Sequence, residues 1–455
     1  MFNCLRQTTL LAAMVFAGTA FADERGADAA SRAATANGER ARVLVVLKDE
    51  AASTESIDAR TLRIKTDVDQ VLAALPGSAK LKRRFMAAAG FAVEVDAKGL
   101  AALAADPRVL SVGLDVGGMG SSSIAPDASS VLNQLSPLAG IGLHGSGMKI
   151  AVIDSGVDTD HVDLAGRIVD QQCFCAGVAG AVGCCPNGLD SQSGSGSAED
   201  DHGHGTNVTG IILGAGAAAP RGALPQASLV SVKVLDANNS FCCISDVIAA
   251  LDWVRINHPD VDAVNMSLGT FSLFSGNCDA NPPFNVTLSN ALNNLRSVGA
   301  TVTASSGNQA NNISSSSPAC LAATIGVGAT WDGALGSQTV LGCTDPSTAA
   351  KQITCFSNLN TTVDLFAAGA YVTSTGRNGA TSTFAGTSQA APMVAACAGA
   401  LKQLRPSATL AQIEAALKAT PTTVSSPRNG GFSYPFLDCM AAVRQLDLLF
   451  ANGFQ

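Results

Sequence analysis

Apolar and polar positions follow one another in two rhythms along this chain, and the change of rhythm divides it. In the front part, 42–47 (RVLVVL), 81–85 and 91–95 (FAVEV) are short β-rich runs, and 109–112 closes the series. Between them, 59–75 carries Leu62, Ile64, Val68, Val71 and Leu72 at helical spacing, and 98–105 reads as a second helix. The predicted order β-α-β-β-α-β is that of a small α+β, ferredoxin-like split βαβ unit. It ends at a Gly/Ser stretch, Val116 to Ser123, that reads as an exposed linker. Further on, near-continuous β-rich runs at 149–153, 228–234, 263–266, 301–304 and 324–327 alternate with helical patterns at 205–213, 244–257, 285–298 and 389–404. That alternation predicts an α/β body, a parallel sheet covered by helices on both faces. Chemistry in such sheets collects at the carboxyl ends of the strands.

Composition narrows the classes. The chain has 455 residues, 47% hydrophobic and only 14% charged, which excludes disorder and allows two or three domains. The formal charge of −8 argues against nucleic acid as a partner. Charge also separates the two parts: 23–120 balances 14 basic against 14 acidic residues, whereas 121–455 carries 13 against 22. The front is thus a small neutral unit and the body an acidic one.

Residues 1–22 read as a secretory signal, with Arg6, the apolar run 9–17 and the Ala20-Phe21-Ala22 cleavage pattern. The run is too short to span a bilayer, so no membrane association is expected after its removal. Cys4 leaves with the signal, and twelve of the 13 cysteines remain, an even number that suits a disulfide framework in an exported chain. Sequence does not fix connectivity; Cys278–Cys320, Cys343–Cys355 and Cys397–Cys439 are the pairs we expect. The cluster Cys173, Cys175, Cys184 and Cys185 has a zinc alternative, but its spacing matches no common zinc pattern.

Four segments carry chemistry. The strand 149–153 runs into Asp154-Ser155-Gly156, which puts a carboxylate at the sheet's functional edge. His204 stands between Gly203 and Gly205 at the start of a helix, where glycines let other groups approach the ring. Ser388, in Gly386-Thr387-Ser388-Gln389, opens an Ala-rich helix whose positive end would stabilise an oxyanion, and Pro392 is expected in its first turn. A hydroxyl needs an adjacent base, and the base needs a carboxylate to hold its tautomer, so Asp154, His204 and Ser388 form a coherent set. Asn308, after strand 301–304, could give an oxyanion hole together with the Ser388 N–H. Read singly, each has a plainer role: Asp154 and Asn308 as turn residues, His204 as a satisfied core residue and Ser388 as a helix cap.

These segments resemble the subtilisin-like serine peptidases (subtilases). The matching stretches are AVIDSGVD (151–158), DDHGHGTNVTG (200–210), SLVSVKVL (228–235), NMSLG (265–269), ASSGN (304–308) and GTSQAAPMVA (386–395), in the family's order. The chain order Asp, His, Ser is that of subtilisin. The resemblance implies a subtilisin-like peptidase domain at 121–455, with Ser388 as nucleophile, His204 as base then acid, Asp154 as its orienter and Asn308 in the oxyanion hole. It implies that 23–120 is an inhibitory prodomain whose tail, near Asp115–Ser123, lies in the substrate cleft and is cut in cis. Ser267, Leu268 and Gly269 would pair with extended substrate, and Ser305, Ser306 and Gly307 would form the opposite wall. Main-chain pairing of this kind reads backbone, so broad specificity is expected. No acidic residue occurs in either stretch, which argues against a convertase for basic residues.

The chemistry needs no cofactor, and no metal site is assigned. Asp163 matches a family calcium ligand, but the loop 214–220 lacks a carboxylate, which argues against structural calcium there. Gln389 stands where the family usually has Met, which should reduce sulfoxide inactivation there; Met393 and Asn207 also depart from the family pattern and read as structural. Protein or peptide substrates, the chain's own prodomain as intramolecular inhibitor, a monomer and a secreted location, extracellular or periplasmic, complete the expectation. No separate module is expected after a last helix at 435–450. The alternatives are an acid-acting sedolisin-type peptidase, disfavoured by His204 and Asn308, and a non-catalytic subtilase-like binding protein.

Overall fold

The structure is a computed structural model that describes residues 26–49, 55–120, 123–124, 135, 137–177 and 182–451. The expected signal, 1–22, lies outside the described residues.

The front part folds as strands β1 (Gly26–Ala27), β2 (Ala41–Leu47), β3 (Lys80–Arg84), β4 (Gly90–Val95) and β5 (Val109–Leu114), with helices α1 (Ile57–Ala74) and α2 (Ala97–Ala105). The sheet order is β1-β5-β2-β4-β3. Strand β2 explains its unbroken apolar sequence. Val43, Val45 and Leu47 face α1 and α2 with Ile64, Val68 and Leu103. Leu44, on the other face, joins Phe85, Ala88 and Ala92 in a core shared with two helices of the body. Successive strand residues point to opposite faces, so a strand covered on both sides must be apolar throughout.

The body is built on an eight-stranded sheet whose order is β10-β9-β11-β8-β13-β15-β16-β17. In chain order its strands are β8 (Lys149–Asp154), β9 (Ile168–Phe174), β10 (Ser191–Ser193), β11 (Ser228–Lys233), β13 (Ala263–Met266), β15 (Thr301–Ser305), β16 (Ile325–Thr330) and β17 (Val363–Ala368). All pairings are parallel except β9 with β10 at the edge. Helices α3 (His204–Leu213) and α6 (Thr387–Leu404) cover one face, and α4 (Ile244–Asn257) and α5 (Pro283–Arg296) the other. Strand β8 again alternates, Ile150 and Val152 toward α3 and α6, Ala151 and Ile153 toward α4 and α5. The chain leaves β8 in one direction through β11 and β9, and in the other through β13. The carboxyl ends of β8 and β13 therefore flank a topological switch point, where open α/β sheets bind ligands.

The Gly/Ser stretch differs from expectation. Instead of an exposed linker, Gly118–Gly120 forms strand β6, held antiparallel between β12 (Ser240–Phe241) and β14 (Leu268–Thr270). Gly118 and Gly120 are buried. Residues without side chains can lie between two strands where larger ones cannot, which is why a composition that signals a linker here marks an inserted strand. The chain reappears as β7 (Ser123–Ile124), paired with β18 (Thr381–Ala385).

Six disulfides form among the described residues. The three expected pairs are present, Cys278–Cys320, Cys343–Cys355 and Cys397–Cys439. The cluster is tied as Cys173–Cys185 and Cys175–Cys184, not as a metal site, and Cys242 bonds its neighbour Cys243 between β12 and α4. The last helix runs Cys439–Ala451, shorter at its start than expected because Ser433–Pro435 is a strand. Among the described residues, no helix is long and apolar enough to cross a membrane.

Candidate active site

Three strand ends and two helix starts converge at the switch point. Asp154 is the last residue of β8, and its Oδ1 accepts the Ser155 N–H at 2.7 Å and lies 2.6 Å from His204 Nδ1. Both side chains are fully buried. The pairing holds the imidazole with Nδ1 as the donor, and Nε2 has no hydrogen-bond partner among the described residues. Close approach of β8 and α3 depends on Gly205: a Cβ there would overlap the carbonyl oxygen of Gly156.

Asp200 fixes the start of α3. Its N-cap, Gly203, has no side chain, and the buried Asp200 carboxylate does the capping instead. It accepts the N–H groups of His202 (3.0 Å), Gly203 (2.8 Å) and Thr206 (2.9 Å), and the hydroxyls of Thr206 (2.5 Å) and Ser155 (2.9 Å). Burial alone would push this carboxyl up; the Thr206 hydroxyl and the backbone donors outweigh it and hold the group below its ordinary value. Burial, followed by repulsion from His204, lowers the His202 pKa. Sequence reading passed over Asp200, although an Asp just before a helix start is itself a capping signal.

Ser388 is the second residue of α6, behind the N-cap Gly386. Its hydroxyl donates to the Ser267 carbonyl at 2.9 Å, and the Ser267 hydroxyl donates to the Ser388 carbonyl at 2.8 Å. The second bond has a cause further along the helix. Pro392 is the sixth helical residue, not a first-turn one as expected, and it lacks the N–H that would bond the Ser388 carbonyl. Ser267 supplies the missing donor. The serine hydroxyl thus rests on Ser267, and it makes no hydrogen bond to His204 Nε2.

Asn308 follows β15. Its Oδ1 accepts the Thr387 N–H at 3.0 Å and the Thr387 hydroxyl at 2.9 Å, which leaves its NH₂ on the opposite side of the amide. The Ser388 N–H lies in the first turn of α6, where no intrahelical acceptor exists. Ser305 and Ser306 are buried, and the Gly307 N–H donates to the Thr387 hydroxyl at 3.1 Å. Leu268 and Gly269 pair with Gly120 and Met119 of β6.

The calcium candidate does not fit. The Asp163 carboxylate accepts three backbone N–H groups, from Ala217, Ala218 (3.0 Å) and Ala219 (2.8 Å). A loop that aims N–H groups at the carboxylate takes over the oxygens a cation would need. Asn207, bonded to Ser382 and Gln389, and Met393, in the core, serve structure.

The front unit docks through buried polar groups that the sequence did not reveal. Asp115 accepts the N–H (2.9 Å) and hydroxyl (2.6 Å) of Ser245 at the start of α4, and its partner Arg42 lies 2.7 Å away. Arg83 pairs with Asp246 of α4 at 2.7 Å. Asp252 of α4 accepts the N–H groups of Met86 (2.5 Å), Ala87 (2.7 Å) and Ala88 (2.9 Å). Burial raises the pKa of both Asp115 and Asp252 above the ordinary value despite these donors.

Comparison with known proteins identifies the relatives of this chain. The Subtilase family profile matches residues 145–434. The chain is 33% identical to an extracellular serine proteinase of Thermus sp. (strain Rt41A), over 74% of this chain and 72% of that protein. It is 30% identical to subtilisin amylosacchariticus of Bacillus subtilis subsp. amylosacchariticus, over 75% of this chain and 78% of that one. An alkaline serine exoprotease A of Vibrio alginolyticus is 29% identical over 73% of this chain. With that match spanning most of the body and its sheet, the chain belongs to the subtilase family and is a serine endopeptidase.

Proposed function

We propose that this peptidase is exported, cuts its own front unit from its body, and hydrolyses peptide bonds through Ser388, His204 and Asp154, with Asn308 and the Ser388 N–H as the oxyanion hole. The observation that carries the assignment is the fully buried Asp154–His204 pair at 2.6 Å, with Ser388 on the adjoining helix start. Substrate lies as a strand between β12 and β14. The Ser388 hydroxyl leaves the Ser267 carbonyl and gives its proton to His204 Nε2 as its oxygen attacks the substrate carbonyl carbon. Asp154 stabilises the imidazolium so formed. The oxyanion meets the Asn308 amide and the Ser388 N–H beside the positive end of α6. The C–N bond then breaks and His204 protonates the leaving amine. Water, activated by the same imidazole, releases the acyl group and restores the serine.

Self-processing is supported by the path of the tail. Strand β6 approaches Ser388 along β14, and β7 resumes against Ala385, two residues before Thr387. The cut in cis then falls between Gly120 and Ser123, and residues 23–120 act as an intramolecular inhibitor that occupies the substrate's place. Six disulfides suit an oxidising compartment, and the extracellular relatives point the same way. A fluorophosphonate probe tests the nucleophile: mass mapping should find it on Ser388, and labelling of a different serine in active enzyme would refute the assignment.

A further inference from the structure

Main-chain pairing alone gives broad specificity, but the walls of this cleft are not neutral. Strand β6 holds Gly118 opposite Phe241 and Thr270, Met119 opposite Ser240 and Gly269, and Gly120 opposite Leu268. A Cβ on Gly118 would overlap the Gly269 carbonyl oxygen and the edge of the Phe241 ring, and a Cβ on Gly120 would overlap the Asn239 side chain. Met119 between them is 38% exposed, pointing out of the cleft.

The backbone under both walls is fixed. The Gly269 oxygen is backbone of a paired strand. The Phe241 ring is 2% exposed and packed in the core of the α4 face. Asn239 has a left-handed backbone (φ 58°), and its carbonyl accepts the Gly120 N–H at 2.8 Å. Its turn is locked by Asp236, whose Oδ1 accepts the N–H of Asn238 (2.9 Å) and Ser240 (3.0 Å).

We propose that Asn239 and Phe241 make this cleft selective for glycine at two positions before the cut, those opposite Leu268 and Thr270, with the residue between them unrestricted. The preferred substrates are glycine-rich extended segments of the form Gly-x-Gly ahead of the scissile bond. The inference rests on the proposed serine mechanism, and it narrows the specificity expected from strand pairing.

The test uses the self-processed enzyme and peptides copied from its own residues 116–124, Val-Gly-Gly-Met-Gly-Ser-Ser-Ser-Ile, with cleavage followed by mass spectrometry. Alanine in place of Gly118 or Gly120 should each lower kcat/KM at least about tenfold, the scale on which one extra methyl group is rejected by a tight pocket. Alanine in place of Met119 should change it less than about threefold. In Asn239→Gly enzyme, the peptide with alanine at 120 should regain hydrolysis and the one with alanine at 118 should not. Equal hydrolysis of all four peptides overturns the proposal. So does a parent peptide left intact by enzyme that cleaves casein and takes up a fluorophosphonate on Ser388. Enzyme that neither cleaves casein nor takes up the probe overturns the serine mechanism instead.

Discussion

Two buried carboxylates start two helices in this molecule, and they do it on different terms. Asp200 caps α3 from its own segment, with five donors within hydrogen-bond reach. Asp115 caps α4 from another unit, with Ser245 and Arg42 as its donors. Both are removed from water, yet their pKa values move in opposite directions, down for Asp200 and up for Asp115. Burial pushes both up; at Asp200 the N–H and O–H donors outweigh it, and at Asp115 they do not, with repulsion from Asp246 added to burial. The contrast separates a cap within one segment, which holds the helix that carries His204, from a cap formed between two units. Asp252, with three backbone donors from the front unit, belongs with the second kind.

Asp200→Ala should break this comparison most severely, because it strands buried donors of Ser155, Gly203 and Thr206 around the helix that carries His204. At about 1–3 kcal/mol for each unsatisfied buried group, a loss of at least about 3 kcal/mol is expected in urea denaturation. Little or no loss would mean that water replaces the carboxylate without cost. Asp252→Ala removes three bonds that exist only while the units are docked. The processed front unit should then co-elute with the body about 100-fold more weakly, the equivalent of about 2.7 kcal/mol, while hydrolysis of small substrates by the freed body is unchanged.

Acidity should sharpen the contrast, since the two kinds of carboxylate respond in opposite directions. Asp115 and Asp252 have raised pKa values when docked, so docking takes up protons. Their contribution is fully present below the ordinary carboxylate value of about 4 and is lost as pH rises through the raised values. Gel filtration of the processed chain should find the front unit held less tightly at pH 8 than at pH 5; tighter retention at pH 8 would contradict this. Asp200 has a lowered pKa, so its contribution is present above about 4 and fades only as pH falls below that. The smallest effect is expected from Ser267→Ala, which removes the donor to the Ser388 carbonyl. A stability loss of about 1 kcal/mol by thermal denaturation is anticipated, because Pro392 leaves that carbonyl with no helical N–H in reserve.

The continuous apolar strands were legible from the sequence because burial on both faces leaves no other composition: β8 and β13 fall within a residue of their expected spans. The edge of the sheet was not. Strand β9 carries Asp170, Gln171 and Gln172 amid its apolar positions and shows no clean period. The four catalytic candidates stood out because each sits in a motif with its own physical reason. Asn239, Phe241 and Asp252 did not, since their meaning depends on which residues of a distant segment lie against them. Pro392 was placed in the wrong turn for a related reason: only a tertiary donor, Ser267, makes a proline tolerable so far into a helix.

The central claim is that Ser388 cuts this chain's own tail. Intact-mass and N-terminal analysis of the expressed full-length chain, wild type beside Ser388→Ala, tests it directly. The account predicts wild-type protein divided between Gly120 and Ser123, and a variant that stays joined, with a loss of turnover on the order of 10⁶, as found for subtilisin's own serine. A Ser388→Ala chain cut at the same place and rate would contradict it.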